Sequence, residues 1–280
     1  MIDIKNLSYR YRGTEHPVFD DFSLQLAEGN IYGLLAPNGV GKSTLLCLIM
    51  GGLLPDKGKG GSVQVDGFDV ARRSYEALRL LYLLPEEMEL PPVSLSKYVR
   101  AREPFYQDFS REVLADCLRE FGLPADPDLG TLSMGQRKKV AISFALATRS
   151  KYLLLDEPTN GLDIASKSSF RRVVARHVGD GQTALLSTHQ LADVDSLLDH
   201  VVVLGLKSEH AAAQLLLDSS VADIAARYTF ELRPAASDTD PDVLFCERRA
   251  DGLHTLAHRH ADDGETPVDL ELIYKYLHKQ

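Results

Sequence analysis

The 280-residue chain is 44% hydrophobic and 25% charged, enough to build one large α/β domain or a domain with a small appendage. A formal charge of −9 argues against a nucleic-acid partner, no apolar run reaches the ~20 residues of a membrane span, and the start Met1-Ile2-Asp3-Ile4-Lys5 lacks a signal peptide's basic and apolar segments. Cys47, Cys117 and Cys246 have no C-x-x-C spacing, so free thiols in a cytosolic protein are expected.

In chain order, Ile2 to Tyr11 and then Phe22 to Leu26 alternate apolar and polar residues, which predicts antiparallel strands. Tyr9 and Tyr11 are each open to two readings, a stacking face for a nucleotide base or a cross-strand packing residue. Ile31 to Leu35 reads as a buried parallel strand and Leu45 to Met50 as the start of a core-facing helix. Between them lies Ala-Pro-Asn-Gly-Val-Gly-Lys-Ser-Thr, residues 36 to 44. A Gly-rich loop there points successive backbone N–H groups out of a helix N-terminus, where the dipole is positive, and so suits a polyphosphate. Asn38, Gly39, Val40, Gly41, Lys42, Ser43 and Thr44 are the candidate contacts, with Lys42 reaching the β/γ-phosphates and the Ser43 hydroxyl on Mg²⁺. Ala36 stands where this loop pattern begins with glycine; because Pro37 pushes the preceding residue to negative φ, alanine is expected to be tolerated.

A loop rich in glycine and proline, 51 to 61, leads to a short strand ending in a turn over Ser62 to Gly67, a helical pattern over Val70 to Arg79 and a strand over Leu80 to Leu84. From Pro91 to Asp128 the chain turns charged and helical, with Val113, Leu114, Cys117, Leu118 and Phe121 as a core stripe. A further helix follows Leu132 to Gln136. Tyr152 to Leu155 is a buried strand ending in Asp156 and Glu157, and adjacent carboxylates at a strand end are poor core residues: Asp156 suits Mg²⁺ and Glu157 suits orienting or deprotonating a water. Another buried strand, Ala184 to Ser187, runs into Thr188 and His189.

Together these segments resemble the ABC ATPases: residues 36 to 44 match Walker A, Leu132 to Gln136 the signature, Leu155 to Pro158 Walker B, Asn160 to Asp163 the D-loop and Ser187 to His189 the H-loop. The likeness covers roughly Ile2 to Leu206. It implies a P-loop NTPase core with an antiparallel β subdomain and a helical insert at about 88–145, occupying residues 1–225. It further implies ATP and Mg²⁺ as ligands, Tyr11 on the adenine, Lys42, Glu157 and His189 as catalytic groups, and Ser43, Glu86 and Asp156 at the metal. Ser133, Gly135, Gln136 and Asp163 would address the nucleotide held by a second copy, making ATP the glue of a homodimer. Glu86 replaces the family's glutamine and Met134 a signature glycine; Met134 is expected to point away from the phosphate.

The resemblance also implies a transmembrane permease as partner, docking on the insert and on the segment from Glu87 to Arg100, where Leu90, Pro91, Pro92 and Tyr98 read as exposed. The chain would then sit at the cytoplasmic face of the membrane. The competing reading is a soluble ABC ATPase with a non-membrane partner. The interval from Lys42 to Ser133 is too short for the long coiled coil of the DNA-repair type, and one cassette is too few for the ribosome type. A module that no longer hydrolyses ATP is the third reading, against which Lys42, Glu157 and His189 speak.

Residues 226–280 form a small α/β appendage like those of drug-exporter-type ATPases: strands over Phe230 to Leu232, Val243 to Cys246 and Leu253 to Leu256, a loop from Pro234 to Pro241 and a helix over Leu270 to Leu277. His254, His258 and His260 would share one strand face, more as a solvated face than as metal ligands.

Overall fold

A computed structural model describes residues 1–56, 58–59, 61–179, 181–208, 210–233, 242–260 and 262–279. The elements are β1 (Ile2–Tyr9), β2 (Phe19–Leu26), β3 (Ile31–Leu35), α1 (Lys42–Ile49), β4 (Ser62–Val65), β5 (Phe68–Asp69), α2 (Tyr75–Leu78), β6 (Leu81–Leu84), α3 (Leu95–Arg102), α4 (Arg111–Glu120), α5 (Met134–Ala147), β7 (Tyr152–Asp156), α6 (Ile164–His177), β8 (Thr183–Thr188), β9 (His200–Leu206), β10 (Ala213–Ser220), α7 (Val221–Arg227), β11 (Tyr228–Arg233), β12 (Val243–Arg249), β13 (Gly252–His258) and α8 (Leu270–Lys279).

Among the described residues three sheets form: an antiparallel one ordered β2-β1-β4-β5, a six-stranded one ordered β10-β9-β3-β8-β7-β6, and a small one ordered β11-β13-β12. In the six-stranded sheet β9, β3, β8, β7 and β6 run parallel and β10 closes one edge antiparallel. Both faces are covered, and period-two side chains sort between them. Leu34, Leu154, Leu185 and Val202 face the core shared with α1 and the antiparallel sheet. Leu35, Leu153, Leu155 and Leu186 face the core shared with α4, α5 and α6.

Helix starts follow local chemistry. Ser110 caps α4 by accepting from the Val113 N–H (3.2 Å), Ser133 and Gln136 form a reciprocal capping box on α5, and Asp163 caps α6 through the Ser166 N–H (2.8 Å). The α4 stripe is core as expected, with Leu114, Cys117 and Leu118 buried, and burial pushes the Cys117 thiol up to about 12. The polar side of α4 is tied to α6: Asp116 pairs with Arg176 and His177 at 2.7 Å each, and Glu120 with Arg172 at 2.7 Å.

Several expectations need correction. β1 ends at Tyr9, so Tyr11 lies in the following turn, where its carbonyl accepts from the Thr14 N–H (3.2 Å). The helical pattern over 70–79 breaks into a 3₁₀ turn and α2, because Arg73 sits at φ 50° and Ser74 starts a new helix by capping Ala77. Leu90 and Tyr98 are buried, the latter edge-on to Phe144 at 5.1 Å, while Pro91 and Pro92 are exposed. β9, β10 and α7 were not anticipated, although the apolar run at 201–204 carries the signal for β9.

Beyond α7, the small antiparallel sheet and α8 pack Phe230, Leu256, Leu270 and Ile273 into the same core as α4 to α6. His254 lies 2.9 Å from Asp251 and His258 stacks on Tyr228, whereas His260 falls past the end of β13, so the three histidines do not form one group. Among the described residues, no cluster of three or more His, Cys, Asp or Glu side chains is arranged to hold a metal ion. The expected loop over 234–241 lies outside the described residues.

Candidate functional site: a phosphate loop beside two strand-end acids

The order β3-β8-β7 sets the carboxyl ends of three neighbouring strands side by side, the place where open α/β sheets receive ligands. The loop after β3 carries Lys42, the end of β7 carries Asp156 and Glu157, and the end of β8 carries His189.

α1 opens this site to an anion. Its N-cap, Gly41, makes no side-chain cap, and the first turn holds no acid, whereas α4, α7 and α8 each carry one there. Gly39 (φ 85°) and Gly41 (φ 119°) adopt the left-handed region, while Ala36 does not, as its place before Pro37 requires. A Cβ on Gly41 would also fall 2.6 Å from Val18 Cγ1 and 3.2 Å from Phe19 Cζ. Gly41→Ala is therefore expected to lower nucleotide affinity at least about tenfold by deforming the loop, and to lower the melting temperature as well; titration with a fluorescent ATP analogue checks it, and unchanged affinity would refute it.

Asn38, Gly39 and Ser43 are exposed, and Val40 and Thr44 are buried. The Lys42 ammonium donates to the Ala36 carbonyl (2.9 Å) and lies 3.5 Å from Glu157 Oε1. The same carboxylate oxygen is 2.9 Å from His189 Nδ1. Glu157 is held at φ 43° by its N–H donating to the Ser187 carbonyl (3.1 Å) and hydroxyl (3.0 Å). The Ser187 hydroxyl in turn donates to Asp156 Oδ1, its neighbour in register across β7 and β8. The role of Ser187 was not read from the sequence; the signal was its place one residue before a strand end, opposite an acid.

Tyr11 is 42% exposed, with its hydroxyl 3.0 Å from Thr44 Oγ1 and its ring edge-on to Tyr9, which is only 8% exposed. Beside it lies a cleft of about 480 Å³ lined by Arg10, Arg12, Thr14, Asp56 and Lys59. Of the two tyrosines, only Tyr11 offers a face to a base.

Ser133, Gly135 and Gln136 lie at the start of α5, where Ser133 and Gln136 bond to each other rather than to Lys42, Glu157 or His189. The Ser133 hydroxyl accepts from the Gln136 N–H (3.3 Å), and Gln136 Oε1 accepts from the Ser133 N–H (3.0 Å). Met134 is 76% exposed, so its side chain stands out from the helix start. Asp163 is exposed, and hydrogen bonds from the Ser166 backbone and hydroxyl hold its carboxyl below the usual carboxylate range. Glu86 Oε1 accepts from Asn160 Nδ2 (2.7 Å), so any metal role for Glu86 falls to its other oxygen or requires that bond to exchange. Ser43, Asp156 and Glu86 are all oxygen donors, the chemistry that suits Mg²⁺. A buried lysine, Lys138, was also missed; it donates to the Glu86 carbonyl at 2.9 Å from a face of α5 where the periodicity calls for an apolar residue.

A parallel sheet whose phosphate loop faces two strand-end acids and a histidine defines a P-loop nucleoside-triphosphatase. The ABC transporter family profile matches residues 19–160. The chain is 32% identical over 191 residues to the uncharacterized ABC transporter ATP-binding protein YdbJ of Bacillus subtilis, covering 67% of this chain and 61% of that one, so it spans about three fifths of that relative's length. It is 30% identical over 263 residues to the Nod factor export ATP-binding protein I of Burkholderia thailandensis, covering 88% of this chain and 85% of that one. Among solved structures, one titled as the ATP-binding subunit of an ABC transporter superposes with a TM-score of 0.68 at 26% identity, covering 80% of this chain and 91% of that one. The chain belongs to the ABC transporter family and is an ATP-binding subunit of the kind that hydrolyses ATP.

Proposed function

We propose that two copies of this chain close head to tail around Mg·ATP and drive an export permease embedded in the membrane. The convergence of Lys42, Glu157 and His189 at one strand-end site, with Ser133 and Gln136 bonded to each other instead, carries this reading. A site with its water-orienting acid but with its second set of phosphate donors turned outward needs another copy to complete it. Met134 and Ile164 stand beside Ser133 and Asp163 at 76% and 87% exposure, and exposed large apolar side chains next to both segments support a surface that a second copy covers.

In the closed pair Tyr11 stacks on the adenine, and the N–H groups from Asn38 to Thr44 hold the phosphates. Ser43 and Asp156, with Glu86 nearby in this reading, would hold Mg²⁺, which would supply positive charge to the phosphoryl oxygens. Lys42 leaves the Ala36 carbonyl for the β/γ-phosphates, and Glu157, its backbone fixed on Ser187, orients and deprotonates the attacking water while His189 contacts the γ-phosphate. The Ser133 hydroxyl and the backbone at Gly135, with Gln136 and Asp163 beside them, complete the shell from the second copy. Loss of the γ-phosphate removes the link between copies and the pair reopens.

For the permease we place the contact on the exposed Pro91 and Pro92 and on the groove of about 370 Å³ between α3 and α4. That groove has Leu95, Val99, Leu114 and Leu118 on its floor and Arg100 and Arg119 at its rim. No helix among the described residues is long and apolar enough to cross a membrane; in this proposal the permease supplies the span and the chain works at the cytoplasmic face. For the direction of transport we favour export, on the likeness to the Nod factor export ATP-binding protein, which covers 88% of this chain; residues 226–280 are read as a small appendage to the 1–225 core. Light scattering of the purified chain with and without Mg·ATP, together with phosphate release, tests the dimer and the turnover; a chain that stays monomeric in ATP refutes the head-to-tail mechanism. Tagged chain recovered from membranes should bring down a protein of several transmembrane helices, and recovery with soluble proteins alone would favour the non-membrane reading.

A further inference from the structure

Lys138 is 8% exposed, on the first turns of α5 five residues after Ser133. Its ammonium donates to the backbone carbonyl of Glu86, in the loop after β6, and Glu86 in turn accepts from Asn160 in the turn after Glu157. β6 pairs with β7 in parallel register, Leu84 opposite Leu155, so this loop lies against the acid-bearing end of β7. A cleft of about 540 Å³ opens between these three segments, lined by Glu86, Met134, Lys138, Asn160 and Gly161. Packing does not call for a charge here. Burial drives the Lys138 pKa below the ordinary lysine value, and the carboxylates of Glu86, Asp156 and Glu157 oppose that fall without cancelling it. A methionine of similar length would fill the same space without the desolvation cost.

We infer that Lys138 is a positioning residue for the proposed ATPase reaction: it pins the loop after β6 to the signature helix and so keeps Glu86 and Asn160 in register with Asp156 and Glu157. The inference rests on the proposed hydrolytic function. It assigns Lys138 two separable effects, a hydrogen bond that fixes the loop and a positive charge beside the metal acids.

The test measures phosphate release by the full-length chain against ATP and against Mg²⁺, for Lys138→Met, Lys138→Arg and the double change Lys138→Met with Glu86→Gln. Lys138→Met is expected to lower kcat about tenfold with KM for ATP held within about threefold, while its melting temperature stays equal or rises. With a cation gone from beside Asp156, half-saturation by Mg²⁺ should move to lower concentration. Lys138→Arg, which still donates, should keep at least about half of kcat. Adding Glu86→Gln should cancel the Mg²⁺ shift but not the kcat loss, because the pinned atom is a backbone carbonyl. A Lys138→Met kcat within twofold of wild type overturns the inference, as does Lys138→Arg falling as low as Lys138→Met, or a kcat loss that tracks a lowered melting temperature. If Lys138→Met does not fold, Lys138→Gln takes its place with the same criteria. Should the wild-type chain not turn ATP over, the proposed function falls instead. The inference is then read from Mg²⁺-dependent binding of a fluorescent ATP analogue, and identical Mg²⁺ dependence in wild type and Lys138→Met overturns it.

Discussion

Glu157→Gln should cut ATP turnover by at least about 100-fold while leaving affinity for Mg·ATP within about threefold of wild type. Glutamine keeps the length of the side chain and can still meet His189, but it cannot take a proton from water. The backbone contribution survives, because the N–H of residue 157 still donates to Ser187. Removing one negative charge beside Lys42 and the triphosphate favours binding, so the ATP-bound pair should accumulate and be seen by light scattering. Turnover within about tenfold of wild type would remove Glu157 from the role of general base.

Lys42→Met is expected to weaken nucleotide binding by about 100-fold or more, because the charge-assisted bonds to the β/γ-phosphates are lost. The ligand-free chain should also lose stability. Glu157 is buried, and without Lys42 its carboxylate keeps His189 as its remaining close side-chain partner. Isothermal titration with Mg·ATP and thermal melting of the apo protein check the two parts separately. Retained affinity would refute the phosphate contact, and an unchanged melting temperature would refute the pairing argument. The two variants thus differ in kind: one blocks the chemical step in a site still able to bind, the other empties the site.

Much of the candidate site could be read from the chain because its parts are local. The loop from 36 to 44 depends on glycines that tolerate positive φ and on donors at a helix start, both properties of neighbouring residues. The capping box of Ser133 with Gln136 and the Asp163 cap are likewise three-residue devices. The five parallel strands of the main sheet, three of them expected as buried runs, are short apolar stretches whose burial on both faces leaves a period-independent signature. Where the reading failed, the failure was about environment. Leu90 and Tyr98 look exposed beside two prolines, yet the folding of α3 onto Phe144 buries Tyr98, and no local pattern announces it. The strand over 2–11 ran two residues long because alternation continues into a turn that only the Tyr11–Thr14 hydrogen bond reveals.

By itself the sequence determined the class of chemistry: a phosphate loop, strand-end acids and a histidine after a buried strand, each encoded by residue type and short spacing. Only the tertiary structure decided which of these meet. Strand order set β8 between β3 and β7, so Ser187 came to hold both Asp156 and the backbone of Glu157, and Lys42 came within reach of the same carboxylate that His189 touches. The packing of α5 against the loop after β6 likewise brought Lys138 to Glu86 across 52 residues of chain. Pairing between distant strands depends on the balance of all their packed faces, and that balance leaves no trace in any short window of residues.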